Sequence, residues 1–414
     1  MSKVFRLLAS VALLTYATSA LSQAQAPITP FKAGDRYFFV ASNGALYVKD
    51  DLNAKPRQIL APNTFTVVVP SQNGEYIAYG VTGTEIPPRK ETGSAPAGSY
   101  EVRVREVGGK GREIDTLHNA RISRASWTRN NKGFFYVRED TTDGRERIYY
   151  HTAGQAQSND LVIFSRHDQP DWSYDVRVSD DGHYAVITIF HSVDDNTRLY
   201  FIDLDNPKKP SLNAPIVKLV DQFSSRYTFV DNGGYHFFLQ TTRDAPNGHI
   251  VLANTNIIRE TRWQSVVPQS VDTLLFARTA GDEYVIVVGR NNGKVTARIY
   301  SPPNPREVQE AMRRRADSIR KAGGRDPQAD ARRAQDRSGR RSMPPGGADV
   351  PILRLNLTRE LPIPEGGTLI DITSHAEDDE LFYTVRFADG TTRAYLYDIK
   401  TRRTGVFDTN VDGR

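Results

Sequence analysis

The chain has 414 residues, of which 38% are hydrophobic and 25% charged, enough to bury a large core and unlike the composition of a disordered protein. It contains no cysteine, which excludes disulfides, thiol catalysis, Cys-ligated zinc and a lipid-modified N-terminal cysteine. The formal net charge of +5 is local: twelve basic and seven acidic residues between Arg306 and Asp349 leave that segment alone at +5, and with Lys3 and Arg6 set aside the remainder carries −2, so the body of the chain is not a basic nucleic-acid binder.

At the N-terminus, Lys3 and Arg6 precede a mostly apolar stretch from Leu7 to Leu21, and small residues follow. This is the pattern of a cleavable secretory signal ending at Ser22 or Ala24, and residues 1–24 are assigned to it. About 15 apolar positions are too few for a bilayer that needs about 20. No transmembrane segment is therefore expected after cleavage, and the expected location is periplasmic or secreted in a bacterium.

From residue 27 to 414 one pattern recurs. A turn rich in Asn, Asp and Gly leads into an aromatic, apolar run: AGDRYFFV from Ala33, SQNGEYIAYG from Ser71, TRNNKGFFYV from Thr128, SDDGHYAVITI from Ser179, DNGGYHFFLQ from Asp231, AGDEYVIVVG from Ala280 and EDDELFYTVRF from Glu377. Those turn residues tolerate positive φ, and the run behind them makes a strand. A second alternating strand follows most runs, as in ALYVKD from Ala45, RIYYHTAG from Arg147 and HIVLAN from His249. A third short one often comes next, such as DLVIFSR from Asp160 or APIVKLVD from Ala214. A repeated unit of about 50 residues with three or four strands is a propeller blade. Seven units predict an all-β, seven-bladed β-propeller, whereas a β-sandwich would not need the same turn at near-constant spacing.

Two segments interrupt the repeat. Thr82 to Ser99, rich in Gly, Pro, Ser and Thr, is expected to be a long surface loop. Pro302 to Val350 is a charged insert in the sixth unit, lying after ARIYS and before PILRLNL. Its first half, REVQEAMRRRADSIRKAG, predicts a helix ended by Gly323 and Gly324; its Arg-, Gly-, Pro- and Asp-rich second half predicts disorder.

The motifs taken in order resemble a known family. FKAGDRYFFVASNGALYVKDDL from Phe31 is similar to the first blade of the prolyl oligopeptidases, and ASWTRNNKGFFYVRE from Ala125 to their third. VSDDGHYAVITIFHSVDDNTRLYFIDLD from Val178 resembles the fourth, and LVDQFSSRYTFVDNGGYHFFLQTTRDAP from Leu219 the fifth. The resemblance runs from about Phe31 to Phe407, the insert excepted. It implies a seven-bladed propeller of the kind that, in that family, sits over an α/β-hydrolase domain and limits access to its active site. It does not transfer the reaction, because function belongs to the site.

The residues for that reaction are not found here. The sequence has no G-x-S-x-G elbow, which a serine nucleophile on this kind of hydrolase would need, so no catalytic residue is assigned and a dedicated, non-catalytic propeller is expected. The eight histidines (His118, His151, His167, His183, His191, His236, His249 and His375) form no metal-ligand pair and are taken as strand or turn residues. Asp180 with Asp181, and Asp194 with Asp195, lack the ligand spacing of a calcium loop and are taken as turn formers. No metal or cofactor is expected. Trp127 and Trp172 are expected to fill the space between blades in preference to lining a ligand pocket. The binding residues are left unassigned. The expected partner is a peptide or protein ligand, with a separate hydrolase chain as the alternative. The Arg-rich insert offers a contact to an anionic surface, and no specific nucleic-acid partner is expected.

Overall fold

A computed structural model describes residues 29–411 apart from 84, 87–97, 100, 123–125, 141, 192–193, 282–283, 305, 307–308, 311–312, 315–316 and 318–353. The expected signal, residues 1–24, lies outside the described residues. The rest forms seven consecutive four-stranded antiparallel sheets, the blades of a β-propeller, with two short two-stranded ribbons beside them. The first strands of blades 1 to 7 are Phe31–Ala33, Phe65–Pro70, Ala120–Arg121, Trp172–Val178, Tyr227–Gly233, Thr273–Ala280 and Gly367–Thr373. The second strands are Arg36–Val40, Tyr76–Val81, Gly133–Glu139, Tyr184–His191, His236–Thr241, Tyr284–Asn291 and Glu380–Phe387. These second strands are the apolar runs of the sequence repeat. The alternating runs behind them are the third strands, and Leu161–Phe164 and Ile216–Val220 are fourth strands.

The apolar runs are nearly continuous because each blade is covered on both faces. Along Tyr184–His191 the first four residues and Ile189 are all buried. Seven separate apolar clusters result, and each joins two neighbouring blades. Trp127, Phe134 and Tyr136 of blade 3 meet Val69, Ala78 and Val102 of blade 2. Trp172, Tyr174 and Val176 of blade 4 meet Phe135, Ile148 and Tyr150 of blade 3. Both tryptophans are thus packing residues; Trp127 is wholly buried and its indole N–H donates to Val69 O at 3.1 Å.

Among the described residues no strand is shared between the first and last blades, and side chains close the ring between them. Tyr37, Phe39 and Tyr47 of blade 1 pack on Phe382, Ala394 and Phe407 of blade 7, with Phe407 edge-on to Phe39 at 5.6 Å and to Phe382 at 5.1 Å. Lys32 reaches Asp378 at 3.0 Å and Glu380 at 3.2 Å, and Tyr37 donates to Glu380 at 2.8 Å.

The interruptions fall at connections. The ends of the Thr82–Ser99 loop pair as a ribbon, Glu85–Ile86 with Gly98–Ser99, which the loop expectation did not include. The insert separates the third strand of blade 6, Lys294–Ser301, from the fourth, Asn356–Glu360. Within it Arg306, Gln309, Glu310, Arg313, Arg314 and Asp317 are helical, with Asn304 Oδ1 accepting the Arg306 N–H at 3.0 Å. The expected helix end at Gly323 and Gly324 and the disorder expected beyond it lie outside the described residues.

One histidine links two blades. His151 is fully buried on the third strand of blade 3, with Nδ1 2.8 Å from Asp160 and Nε2 3.3 Å from Asp115 of blade 2. Burial alone would lower its pKa, but hydrogen bonding and charge from Asp115 and Asp160 outweigh that and push it up to about 9. A pKa raised above the unfolded value of about 6.5 stabilises the fold fully below pH 6.5, and the gain is lost as pH rises through 9. At about 1.4 kcal/mol per pH unit this is about 3 kcal/mol. Urea unfolding at pH 6 and pH 10 is expected to show that loss in the native protein, and His151→Phe is expected to remove the pH dependence in this window. An equal loss in both proteins would show that His151 is not its source.

Candidate functional site

The first turns of blades 2, 3 and 4 share one chemistry. In blade 2, Ser71 Oγ donates to Asn73 Oδ1 at 2.8 Å and accepts the Tyr76 N–H at 3.0 Å, while Asn73 Oδ1 accepts the Glu75 N–H at 3.1 Å. Blade 4 repeats this with Ser179, Asp181, His183 and Tyr184, and blade 3 uses Thr128, Asn130 and Lys132. Neighbouring turns press together. A Cβ on Gly34 (φ +56°) would lie 2.6 Å from Asn73 O, and one on Gly74 (φ +68°) would lie 2.4 Å from Ala33 O. Only glycine fits these contacts.

In this Ser/Thr-x-Asn/Asp turn the flanking residues hold the turn and the middle one is left over. In blades 2, 3 and 4 the middle residues are Gln72, Arg129 and Asp180. All three are used by blade 7. Its first turn, 374–379, reaches across the mouth of the central channel. His375 Nε2 lies 3.2 Å from Gln72 Oε1, the Ala376 N–H donates to Asp180 Oδ2 at 2.7 Å, and Glu377 pairs with Arg129. Opposite any blade of a seven-membered ring stand the third and fourth blades along, so bonds from blade 7 to blades 3 and 4 span the axis. The same turn is tied to its neighbours: Ser374 Oγ donates to Thr279 O at 2.8 Å, Asp378 O accepts the Gly281 N–H at 2.8 Å, and Asp378 pairs with Lys32. The channel is floored at this face.

Above the floor lies a cavity of about 510 Å³, within the roughly 300–1,000 Å³ range of ligand pockets. Its walls are the first strands of blades 1, 2 and 7, through Phe31, Thr66, Val67 and Ile372, together with Arg177 of blade 4 and Arg278 of blade 6. Two carboxylates stand together at the floor. Asp231, fully buried on blade 5, accepts the Asp180 N–H at 3.2 Å and the Thr279 hydroxyl at 2.8 Å. Burial, then the nearby Asp180 charge, raises the Asp231 pKa well above the ordinary carboxyl value. For Asp180 burial acts in the same direction, but His375, Arg177 and the Ala376 amide outweigh it and the net shift is downward.

Asp180 and Asp181 both lie in the turn that the sequence predicts for them. Asp181 holds that turn, but Asp180 is also part of the floor, as are His375 and Gln72. Their signal was the middle position of the repeated turn, where the residue type changes from blade to blade while its neighbours do not. Asp194 opens the third strand of blade 4, away from these residues. Among the described residues, no three of His, Asp and Glu are grouped so as to hold a metal ion.

Comparison with known proteins locates this architecture. The family model for the prolyl oligopeptidase N-terminal beta-propeller domain matches residues 25–406. Prolyl oligopeptidase A of Amanita bisporigera is 29% identical over 199 residues, covering 44% of this chain and 26% of that protein. The prolyl endopeptidase of Elizabethkingia meningoseptica is 24% identical over 267 residues, covering 59% and 35%. Prolyl oligopeptidase B from Galerina marginata, solved bound to a 35mer hydrolysis and macrocyclization substrate, superposes with a TM-score of 0.66 at 17% identity, covering 92% of this chain and 50% of the other. The chain thus spans about half the length of such solved relatives and about a third or less of these curated ones.

Removing the Asp180 carboxylate leaves the part-buried Ala376 N–H without its acceptor and Asp231 without its neighbour. Asp180→Ala is expected to lose about 1–3 kcal/mol in urea unfolding and to speed amide exchange at Ala376. Asp231→Asn keeps the side-chain shape and one acceptor oxygen for the Asp180 N–H, and puts an amide donor toward the Thr279 hydroxyl, which can turn to accept it; it is expected to change stability by less than about 1 kcal/mol. Unchanged exchange at Ala376 in Asp180→Ala would mean that this bond does not hold the floor.

Proposed function

The chain belongs to the prolyl oligopeptidase N-terminal β-propeller family, and from that premise we propose that it is an exported, non-catalytic propeller whose channel holds a peptide or a peptide segment of a protein partner. The observation that carries this is the channel cavity closed at one face by the turn of blade 7. A lining that sets apolar strand residues such as Phe31, Val67 and Ile372 beside charged and polar ones suits an extended peptide, whose side chains and backbone offer both kinds of surface, and a floor stops the peptide instead of passing it through. The 414 residues contain no G-x-S-x-G elbow, so the binding role is assigned without bond cleavage. A second reading, favoured by the family membership, makes this the propeller half of a serine-type endopeptidase whose hydrolase domain is on another chain.

Export is proposed from the basic start and apolar stretch of residues 1–24, with periplasm or medium as the destination. N-terminal sequencing of the protein from a bacterial host is expected to read from Gln23 or Gln25. A chain retaining Met1 would remove export from the proposal.

Purified protein is expected to leave a fluorogenic Gly-Pro peptide uncleaved, both alone and with periplasmic extract. Turnover that survives stringent repurification would overturn the non-catalytic role. Turnover only with extract, by a protein that co-purifies with this chain, would establish the two-chain enzyme.

A further inference from the structure

We propose that the floored face of the propeller docks on an anionic phospholipid bilayer, through cations carried by the third-to-fourth strand connections of blades 4 to 7. Docking of this kind is independent of the peptide reading and decides which way the channel opens. In a four-stranded antiparallel blade the first turn and the third-to-fourth connection return at the same face. The floored face is therefore rimmed by residues 204–215, 255–263, 302–355 and 399–403 of blades 4, 5, 6 and 7. Blade 4 contributes Lys208 and Lys209, on a ribbon that pairs Asp205–Asn206 with Lys209–Pro210. Blade 5 contributes Arg259 and Arg262. The insert of blade 6 leaves and rejoins the rim where Ser301 pairs with Asn356, and brings Arg306, Arg313 and Arg314. Blade 7 adds Lys400, Arg402 and Arg403 in one short turn. All of these side chains belong to exposed residues.

Nearby carboxylates offset this charge only in part. Glu260 is turned inward to Arg243 and Tyr227, Glu310 lies 3.7 Å from Arg314, and Asp379 takes Lys400 at 2.8 Å. Asp205 and Asp317 are the other acidic side chains of these connections among the described residues. The remaining blades differ. Residues 153–160 of blade 3 hold no Lys or Arg, and 50–56 of blade 1 set Asp50 and Asp51 against Lys55. Of the two cations in 107–112 of blade 2, Arg112 pairs with Glu106 at 3.0 Å. The positive rim is thus an arc over four consecutive blades. Cations spread along such an arc gain most at an extended anionic surface, whose field reaches about 8 Å in physiological salt. Two further side chains on this face select lipid. Ile258, next to Arg259, and Tyr235, in the first turn of blade 5, are each 48% exposed. Both suit the headgroup boundary of a bilayer, whereas an aliphatic group gains nothing from a hydrated polyanion. With the floored face on the membrane, the open mouth of the channel faces the surrounding solution.

The test is cosedimentation of the full mature chain with vesicles of equal parts phosphatidylglycerol and phosphatidylcholine, and with vesicles of phosphatidylcholine alone. At about 0.1 M salt the anionic vesicles are expected to bind about tenfold or more tightly than the neutral ones, and at about 0.5 M salt to release the protein. Lys208→Gln with Lys209→Gln, and Arg402→Asn with Arg403→Gln, are each expected to weaken that binding about tenfold. Asn is chosen at 402 because its φ is +62°, which Asn tolerates. Ile258→Ser is expected to weaken binding while leaving its salt dependence unchanged. Lys55→Gln with Lys110→Gln, on blades 1 and 2, is expected to bind as the native protein does. Unfolding midpoints measured alongside show that each variant is folded, and a pair that is not is replaced by its single substitutions. Equal binding to both vesicles, binding to neither, or equal weakening by the blade 1 and 2 pair would overturn the proposal. Release by inorganic phosphate at constant ionic strength would overturn it in favour of a discrete phosphate site, and equally tight binding of a short RNA duplex in favour of nucleic acid.

Discussion

A four-stranded sheet with apolar side chains on both faces cannot be stable alone, because covering one face leaves the other in water. In this protein each such sheet is covered by the next, and the series ends only when the seventh returns to the first. The closing contact is therefore the one on which the others depend. Among the described residues it is made by Tyr37, Phe39, Phe382 and Phe407, with Lys32 between Asp378 and Glu380 at its inner edge. Here burial of the ammonium is outweighed by the two carboxylates, so its pKa is raised and it stays charged.

Closure creates the channel, and the channel changes what the first strands need. They line an opening instead of a core, so they can carry Arg177, Arg278 and Thr66 where the second strands carry Phe, Tyr, Val and Ile. The first turns come together around one mouth for the same reason. In blades 2, 3 and 4 the outer positions are spent on turn geometry, and the middle residues Gln72, Arg129 and Asp180 meet the turn of blade 7. Blade 7 exploits this with a turn one residue longer than those of blades 2 and 4, spanning 374–379 against 71–75 and 179–183. The extra length lets it reach the far side of the ring.

The floor gives this propeller a channel closed at one face by the turn of blade 7. An open channel is a passage, whereas one closed by Ala376, Glu377 and His375 is a receptacle with an end. The buried Asp180 and Asp231 and the paired cations make the end polar and rigid. Relatives that match this chain are longer, and what their remaining residues add is a separate matter from the shape of this receptacle.

The second, third and several fourth strands were legible in the sequence because their causes are local. A turn that needs Asn, Asp or Gly sits next to a strand buried on both faces, and both signals lie within about ten residues of each other. Repetition of that unit was enough to determine the all-β class, the blade count and the place of the insert in blade 6. The two tryptophans could be placed between blades on size and position. The floor was not legible. Its bonds join His375 to Gln72, Glu377 to Arg129 and Ala376 to Asp180, pairs separated by 303, 248 and 196 positions. No local pattern selects such partners, and turn-forming was a sufficient local reason for Asp180 to be where it is. Only when all the blades are in place does the geometry of a seven-membered ring set blade 7 opposite blades 3 and 4 and bring these side chains within hydrogen-bond distance.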